Sequence, residues 1–330
     1  MSGFKSRPMS STAPPDAAPP SPVAPEADAV AQLAALRAEL DQIDDTIHRL
    51  LMERAHIVAS LASSGTKIRT VALRPGREAN IIRRLLANHS GPLPAHALVR
   101  LWRELLAATT AMQGPYTIAV CETDATDGYT QAAREHFGAL TPLRILRSPA
   151  QALAEVGAGR SSVAVLPMPQ EAEAERDAWW TALLQKDAPR IHVVARLPFW
   201  SPRPEGAATV QALVVAAIAP DPSDSDRSLL GLEFALDVSR ARLTAALSAA
   251  GFAPGTVVLR RDPGAPVAHA LADVEGHVSE ADQRLDHVQS LLRRPVVLGA
   301  YAVPVDTGLL NAPNTNQPAN TNQPLGGTNP

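Results

Sequence analysis

The chain is nearly devoid of cysteine: Cys121 is the only one in 330 residues. That excludes an internal disulfide framework and any cysteine-rich zinc site. Aromatic residues are scarce as well, at 4%, too few for a platform on which nucleic-acid bases stack. No charge sign dominates. The 30 Lys and Arg stand against 33 Asp and Glu, a net charge of −3, so no bulk field points to a nucleic acid. No apolar run reaches the roughly 20 residues that span a bilayer; the longest lies around Ala212–Ala219. Lys5 and Arg7 are followed by prolines where the apolar part of a signal peptide would stand, so the expected location is cytoplasmic.

Proline is abundant, at 30 residues, but unevenly spread. Residues 1–27 are rich in Pro, Ser and Ala without periodicity, which predicts a disordered leader. Residues 307–330 include a repeat, Asn314-Thr315-Asn316-Gln317-Pro318 then Asn320-Thr321-Asn322-Gln323-Pro324, which predicts a disordered tail. Between them, Gly114-Pro115 separates a wholly helical pattern from one in which short β-branched runs alternate with helical stretches. A second break falls at Pro220–Ser228. The expected organisation is an all-helical domain at 28–114, an α/β segment at 115–220 and a small α/β module at 226–306.

Within the helical part, Leu33, Leu36, Leu40, Ile43, Ile47, Leu50, Ile57 and Leu61 follow three- and four-residue steps, the repeat of a long helix lying along another helix. Arg54 falls on that seam. A buried cation costs several kcal/mol unless paired, so Arg54 either reaches the seam's edge or a glutamate, or faces a cavity holding an anion. Arg37 lies roughly 25 Å earlier along the same helix. The two cannot hold one small ligand within a single chain. Across an antiparallel dimer they can meet, which predicts two equivalent sites. Helices are also expected at Gly76–His89, with Ile81, Ile82, Leu85 and Leu86 behind Arg77 and Glu78, and at Pro94–Gln113, with Leu98, Leu101, Trp102, Leu105, Leu106 and Met112. Thr109 and Gln113 share a face of the latter. Taken alone, such polar residues near a helix end serve as caps or surface, and Glu78 as a first-turn carboxylate facing the dipole.

In order, Leu36-Arg37, Ile43-Asp44, Leu50-Leu51-Met52-Glu53-Arg54, Lys67, Arg77-Glu78 and Gln113 resemble the all-helical class of chorismate mutase. They are similar also to the N-terminal domain of bifunctional chorismate mutase–prephenate dehydratases, over roughly residues 30–114. The resemblance implies a three-helix domain in an intertwined homodimer, with chorismate as substrate, an active site inside each bundle, and no cofactor or metal. The implied reaction is a pericyclic rearrangement to prephenate, which needs no nucleophile or proton shuttle. Such an enzyme folds a flexible dianion into a reactive chair and stabilises the charge growing on the breaking ether oxygen. Arginine suits the two carboxylates because its planar fork binds them bidentately. By resemblance, Arg54 and the partner chain's Arg37 hold the carboxylates, with Arg77 in the same charged wall. Glu78 accepts a hydrogen bond from the substrate hydroxyl, Gln113 contacts the ether oxygen, and Thr109 stands near a carboxylate. The family also places a lysine on that oxygen. Here an ungapped alignment puts Gly65 at its position, with Lys67 two residues on, and a small local shift is expected to bring Lys67 into the site. Arg74 replaces an acidic residue common three places before Arg77.

Beyond Gly114, strands at Tyr116–Val120, Leu143–Leu146 and Ser162–Leu166 alternate with helices at Tyr129–Phe137 and Pro149–Val156, the pattern of a largely parallel sheet. Asp127-Gly128-Tyr129-Thr130-Gln131-Ala132-Ala133 and His136-Phe137-Gly138 resemble the opening of a prephenate dehydratase domain, and Val163-Ala164-Val165-Leu166-Pro167 its later strand. Met168-Pro169-Gln170 stands where that family has Glu-Asn-Ser, and Val210-Gln211-Ala212 where it has a catalytic Thr-Arg-Phe. The expectation is a truncated lobe without dehydratase activity, kept as scaffold. Leu229–Val238, Leu243–Ala250, Gly255–Arg260, Ala268–Val274, Gln283–Leu292 and Val296–Tyr301 then give a β-α-β-β-α-β, ferredoxin-like order, with Arg293-Arg294 at the end of its last helix. Val274-Glu275-Gly276-His277 and Val297-Leu298-Gly299-Ala300-Tyr301 resemble the ACT regulatory domain. The family's phenylalanine-binding stretches are altered, to Ala241-Arg242-Leu243 and Arg260-Arg261-Asp262-Pro263, so a dimerising role is expected. Three rival readings are a fully bifunctional enzyme, an isochorismate pyruvate-lyase on the same helical scaffold, and a non-catalytic metabolite sensor.

Overall fold

Helix α1 (Ala24–Ser63) opens the computed structural model, which describes residues 24–63, 73–123, 127–171, 173–185 and 187–306. Lys67, residues 1–23 of the expected leader and the expected tail from 307 lie outside those residues. The chain forms two units, one up to Leu61 and one from Ala62 onward.

In the first unit, α1 carries its Leu and Ile seam in the open: exposure runs from 48% at Ile43 to 64% at Leu61. On its polar side, Arg49 and Glu53 pair at 2.7 Å one turn apart, a surface contact worth about 0.3–0.5 kcal/mol. Packing, not such pairs, stabilises a helix of this length. An exposed apolar stripe at this spacing has the pattern of a helix face that lies along another helix.

The second unit begins with α2 (Pro75–Ala87) and α3 (Ala95–Ala111). Ala79, Ile82 and Leu86 on α2 and Ala95, Val99 and Leu106 on α3 recur at helical spacing and are buried. They share one apolar cluster with Phe199, Trp200 and Ala302, so these two helices are packed on the α/β part of the chain. There follow β1 (Ile118–Cys121), α4 (Gly128–Phe137), β2 (Leu143–Leu146), α5 (Pro149–Gly157) and β3 (Val163–Pro167). Next come two 3-10 turns, Glu175–Asp177 and Trp179–Gln185, then β4 (His192–Leu197), β5 (Trp200–Ser201) and β6 (Ala212–Ala216). The last elements are β7 (Asp226–Phe234), α6 (Arg240–Ala249), β8 (Pro254–Arg260), β9 (Ala268–Glu275), β10 (Val296–Ala302) and β11 (Val305–Asp306).

Nine strands form one sheet in the order β2-β1-β3-β6-β4-β10-β7-β9-β8. It is mixed, not largely parallel as the strand–helix alternation predicts. Strands β2, β1 and β3 are parallel because α4 and α5 provide the crossovers that parallel neighbours need. From β4 to β6 the chain returns without a helix, and β6 lies antiparallel to both β3 and β4. The join to the last four strands runs through one residue pair, Gly299 opposite Val193. Gly299 has φ +142, and a Cβ there would lie 2.1 Å from the Val193 carbonyl oxygen, so only glycine lets β10 approach β4. Trp179 and Trp180, both buried, cover this stretch of sheet.

The predicted helix over Gln283–Leu292 is replaced by a single 3-10 turn, Gln283–His287. Only Leu285 of that turn is buried, and Ser290 sits at φ +66, a left-handed geometry that ends any helix. Arg293 and Arg294 therefore cap no helix: Arg293 pairs with Glu233 at 3.3 Å and Arg294 with Asp286 at 2.5 Å. No helix among the described residues is long and apolar enough to cross a membrane.

Candidate active site

The first turn of α2 carries two of the predicted residues, Arg77 and Glu78. Pro75 occupies the first helical position, where its missing N–H costs nothing and its φ is preset. The Glu78 amide donates to the Arg74 carbonyl at 2.9 Å, closing the first helical ring. The Arg77 side chain faces outward and the Glu78 side chain turns toward α3, where Arg103 Nη1 donates to Glu78 Oε2 at 3.1 Å.

Arg103 is the residue that sequence reasoning missed. It is only 4% exposed, set on the same α3 face as Val99 and Leu106. Its guanidinium lies over the Phe199 ring, 4.8 Å from the centroid, a cation–π contact that partly replaces lost water. Burial draws its pKa down to about 10, against the opposing pull of Glu78, so it stays cationic at neutral pH. Burial and the Glu78 charge raise the Tyr116 phenol well above its usual range. The Cys121 thiol, buried in β1, is pushed up to about 12 and is inert as a nucleophile.

His136 on α4 lies against Phe137 and Phe199, with ring centroids 4.7 and 6.4 Å away. Burial, and then the charge of Arg103, push its pKa well below 6.5. The folded state therefore holds a neutral ring. Between that depressed value and the unfolded value the unfolded chain binds more protons, so stability is full above about pH 6.5 and falls as the pH drops below it. Urea midpoints measured from pH 7 down to 4.5 should fall less steeply for His136→Phe than for the wild type. Equal slopes would show that the ring does not carry this linkage.

The other predicted residues are distributed as follows. Arg37, exposed, and Arg54, half-buried, belong to the first unit. Thr109 is buried, and its hydroxyl donates to the Leu105 and Leu106 carbonyls at 2.9 and 3.1 Å. Gln113 is exposed, and its Nε2 donates to the Thr109 carbonyl at 3.1 Å. At the position of the dehydratase triplet, Gln211 is engaged in structure: its side chain accepts from Arg196 at 2.9 Å and its carbonyl from the Met168 amide at 3.2 Å. Among the described residues no three His, Cys, Asp or Glu side chains are grouped to hold a metal ion.

Residues 36–114 match the family model of chorismate mutase type II. The bifunctional chorismate mutase/prephenate dehydratase of Pseudomonas aeruginosa is 28% identical over 162 residues, covering 47% of this chain and 44% of that protein. The enzyme of the same description from Neisseria gonorrhoeae is 39% identical over 106 residues, 31% of this chain and 27% of that one. The chain thus spans less than half the length of these curated relatives. Among solved structures, the prephenate dehydratase of Streptococcus mutans aligns with a TM-score of 0.43 and 16% identity, over 58% of this chain and 99% of that one.

Proposed function

We propose that this chain rearranges chorismate to prephenate. The observation that carries the reading is the match of residues 36–114 to chorismate mutase type II, together with the ordered set of charged residues in that stretch. Arg54 and Arg37 of a second copy bind the two carboxylates, Arg77 adds to the same positive wall, and Glu78 accepts a hydrogen bond from the substrate hydroxyl. Gln113 contacts the ether oxygen, with Lys67 beside it, and Thr109 lies near a carboxylate. Binding in this way restricts a flexible dianion to its reactive chair and sets fixed positive charge where negative charge develops.

The exposed seam of α1 supports an intertwined homodimer, since a stripe of this length is buried most readily by its own twin. The strands from β7 to β10 form an ACT-like module with a dimerising or regulatory role, and the α/β segment is a dehydratase-like scaffold. The enzyme works in the cytoplasm without a cofactor.

The test is incubation of purified protein with chorismate and separation of all products before any acid step. Prephenate is the expected product. Phenylpyruvate at neutral pH, above a no-enzyme control, would assign dehydratase activity to the α/β segment. Turnover of isochorismate but not chorismate would assign the lyase. Thermal stabilisation by chorismate without any product would favour a sensor.

A further inference from the structure

We infer that the segment leading into β7, residues 221–226, is a positioning element of the proposed mutase site: it caps α2 from outside and fixes the turn that bears Arg77 and Glu78. The inference rests on the mutase reading above.

A helix begins with backbone N–H groups that have no partner inside it. In α2 the first position is proline, and the Glu78 amide is already bonded to the Arg74 carbonyl. That leaves the amides of Gly76 and Arg77. A local cap would come from the side chain at position 74, but Arg74 makes no capping bond, and a guanidinium has no acceptor to offer. Asp221 supplies both bonds. Its Oδ1 accepts from the Gly76 amide at 2.9 Å and its Oδ2 from the Arg77 amide at 3.2 Å. Arg74 is turned to support it, donating from Nε to Asp221 Oδ2 at 3.3 Å. The carboxylate thus sits where the helix dipole favours negative charge.

The contact is built on both sides. A Cβ at position 76 would lie 2.3 Å from the Asp221 carbonyl oxygen and 2.8 Å from that of Pro222, so only glycine admits the segment. One turn further on, Asn80 Nδ2 donates to Asp224 Oδ1 at 3.1 Å while the Asp224 amide donates to Asn80 Oδ1 at 3.0 Å. Arg83 then donates to Ser223 Oγ and to the Ser225 carbonyl, both at 2.9 Å, and to the Val303 carbonyl at 2.7 Å. Gly76, Asn80 and Arg83 follow one face of α2 at helical spacing. The segment is in turn fixed to the start of β7, because the Ser223 amide donates to Asp226 Oδ2 at 2.7 Å. The last strands of the sheet are therefore wired to the turn that presents Arg77 and Glu78.

The test compares chorismate kinetics of the full chain with those of Asp221→Ala, at a temperature where both are folded. Losing the cap loosens substrate-binding groups without altering the chemistry, so KM should rise about fivefold with kcat nearly unchanged. Arg74→Asp in the Asp221→Ala background provides a local cap and should restore KM. Amide exchange at Gly76 and Arg77 should quicken in the single variant and slow again in the double. If Asp221→Ala does not fold, Asp221→Asn, which keeps an acceptor oxygen, should show an intermediate KM. An unchanged KM in a folded Asp221 variant overturns the inference, as does a raised KM that the local cap leaves uncorrected. Absence of wild-type turnover overturns the mutase reading itself, before any variant is compared.

Discussion

Chains bearing Arg37→Ala and Arg54→Ala, each inactive alone, are expected to recover about a quarter of wild-type chorismate turnover when unfolded together and refolded as an equal mixture. Each single change removes a fixed positive charge from a dianion, and losing one preorganised group of this kind costs about 100- to 1,000-fold in rate. The recovery follows from geometry. Arg37 and Arg54 are roughly 25 Å apart along α1, so in the proposed antiparallel dimer each site would take one arginine from each chain. A mixed dimer then holds one site with both arginines and one with neither. Random pairing makes about half of the dimers mixed, and half of their sites intact. A site drawing both arginines from one chain would recover nothing on mixing, which would refute the intertwined arrangement. Arg54→Lys should recover only part of the single-variant loss, because an ammonium lacks the planar fork that matches a carboxylate.

The elements that were legible in the sequence are those with strong periodicity. The seam from Leu33 to Leu61 announces α1, and the strand at Leu143–Leu146 is observed at the predicted residues. The stretches around 129–137, 149–156 and 255–260 lie within a residue or two of the elements observed there. What was not legible depends on distant partners. Sequence spacing does not show that β6 returns antiparallel between β3 and β4, since strand direction is set by how the chain crosses the sheet. It does not show that an apolar run near Leu291 lacks a helix, because Ser290 takes a left-handed conformation. The Pro, Asp and Ser of Pro220–Ser228 read as a break between two segments, and the bonds to Gly76, Arg77, Asn80 and Arg83 that make part of it a clamp span more than a hundred residues. Arg103 is a different case, since its signal was present. Ala95, Val99, Arg103, Leu106 and Thr110 follow steps of three and four and are all buried, so an arginine stands on the apolar face of α3 as Arg54 does on that of α1. The argument that a cation on a seam needs a partner applies equally to both.

Replacing Arg103 by methionine is expected to destabilise the fold by about 3 kcal/mol, toward the lower end for breaking a buried ion pair. The cost comes mainly from what stays behind. Glu78, with 14% of its side chain exposed, loses the guanidinium that donates to it at 3.1 Å. The Phe199 ring loses the cation stacked 4.8 Å from its centroid, a kind of contact worth about 0.5–2 kcal/mol depending on how far it is desolvated. The partial exposure of Glu78 keeps the total from rising further. Adding Glu78→Gln to Arg103→Met removes the carboxylate charge as well and should return more than half of the loss, since a buried pair replaced at both ends is often nearly neutral. Arg103→Lys should fall between, because its point charge can reach Glu78 but cannot lie flat on Phe199. Urea unfolding of the four chains at pH 7 decides the matter. A shift below about 1 kcal/mol for Arg103→Met would mean that Glu78 finds water or another partner at once. A double variant no more stable than the single would place the loss in the Phe199 packing alone. The expected order, wild type above the double variant and the double above Arg103→Met, would identify the ion pair as a stabilising contact between α2 and α3.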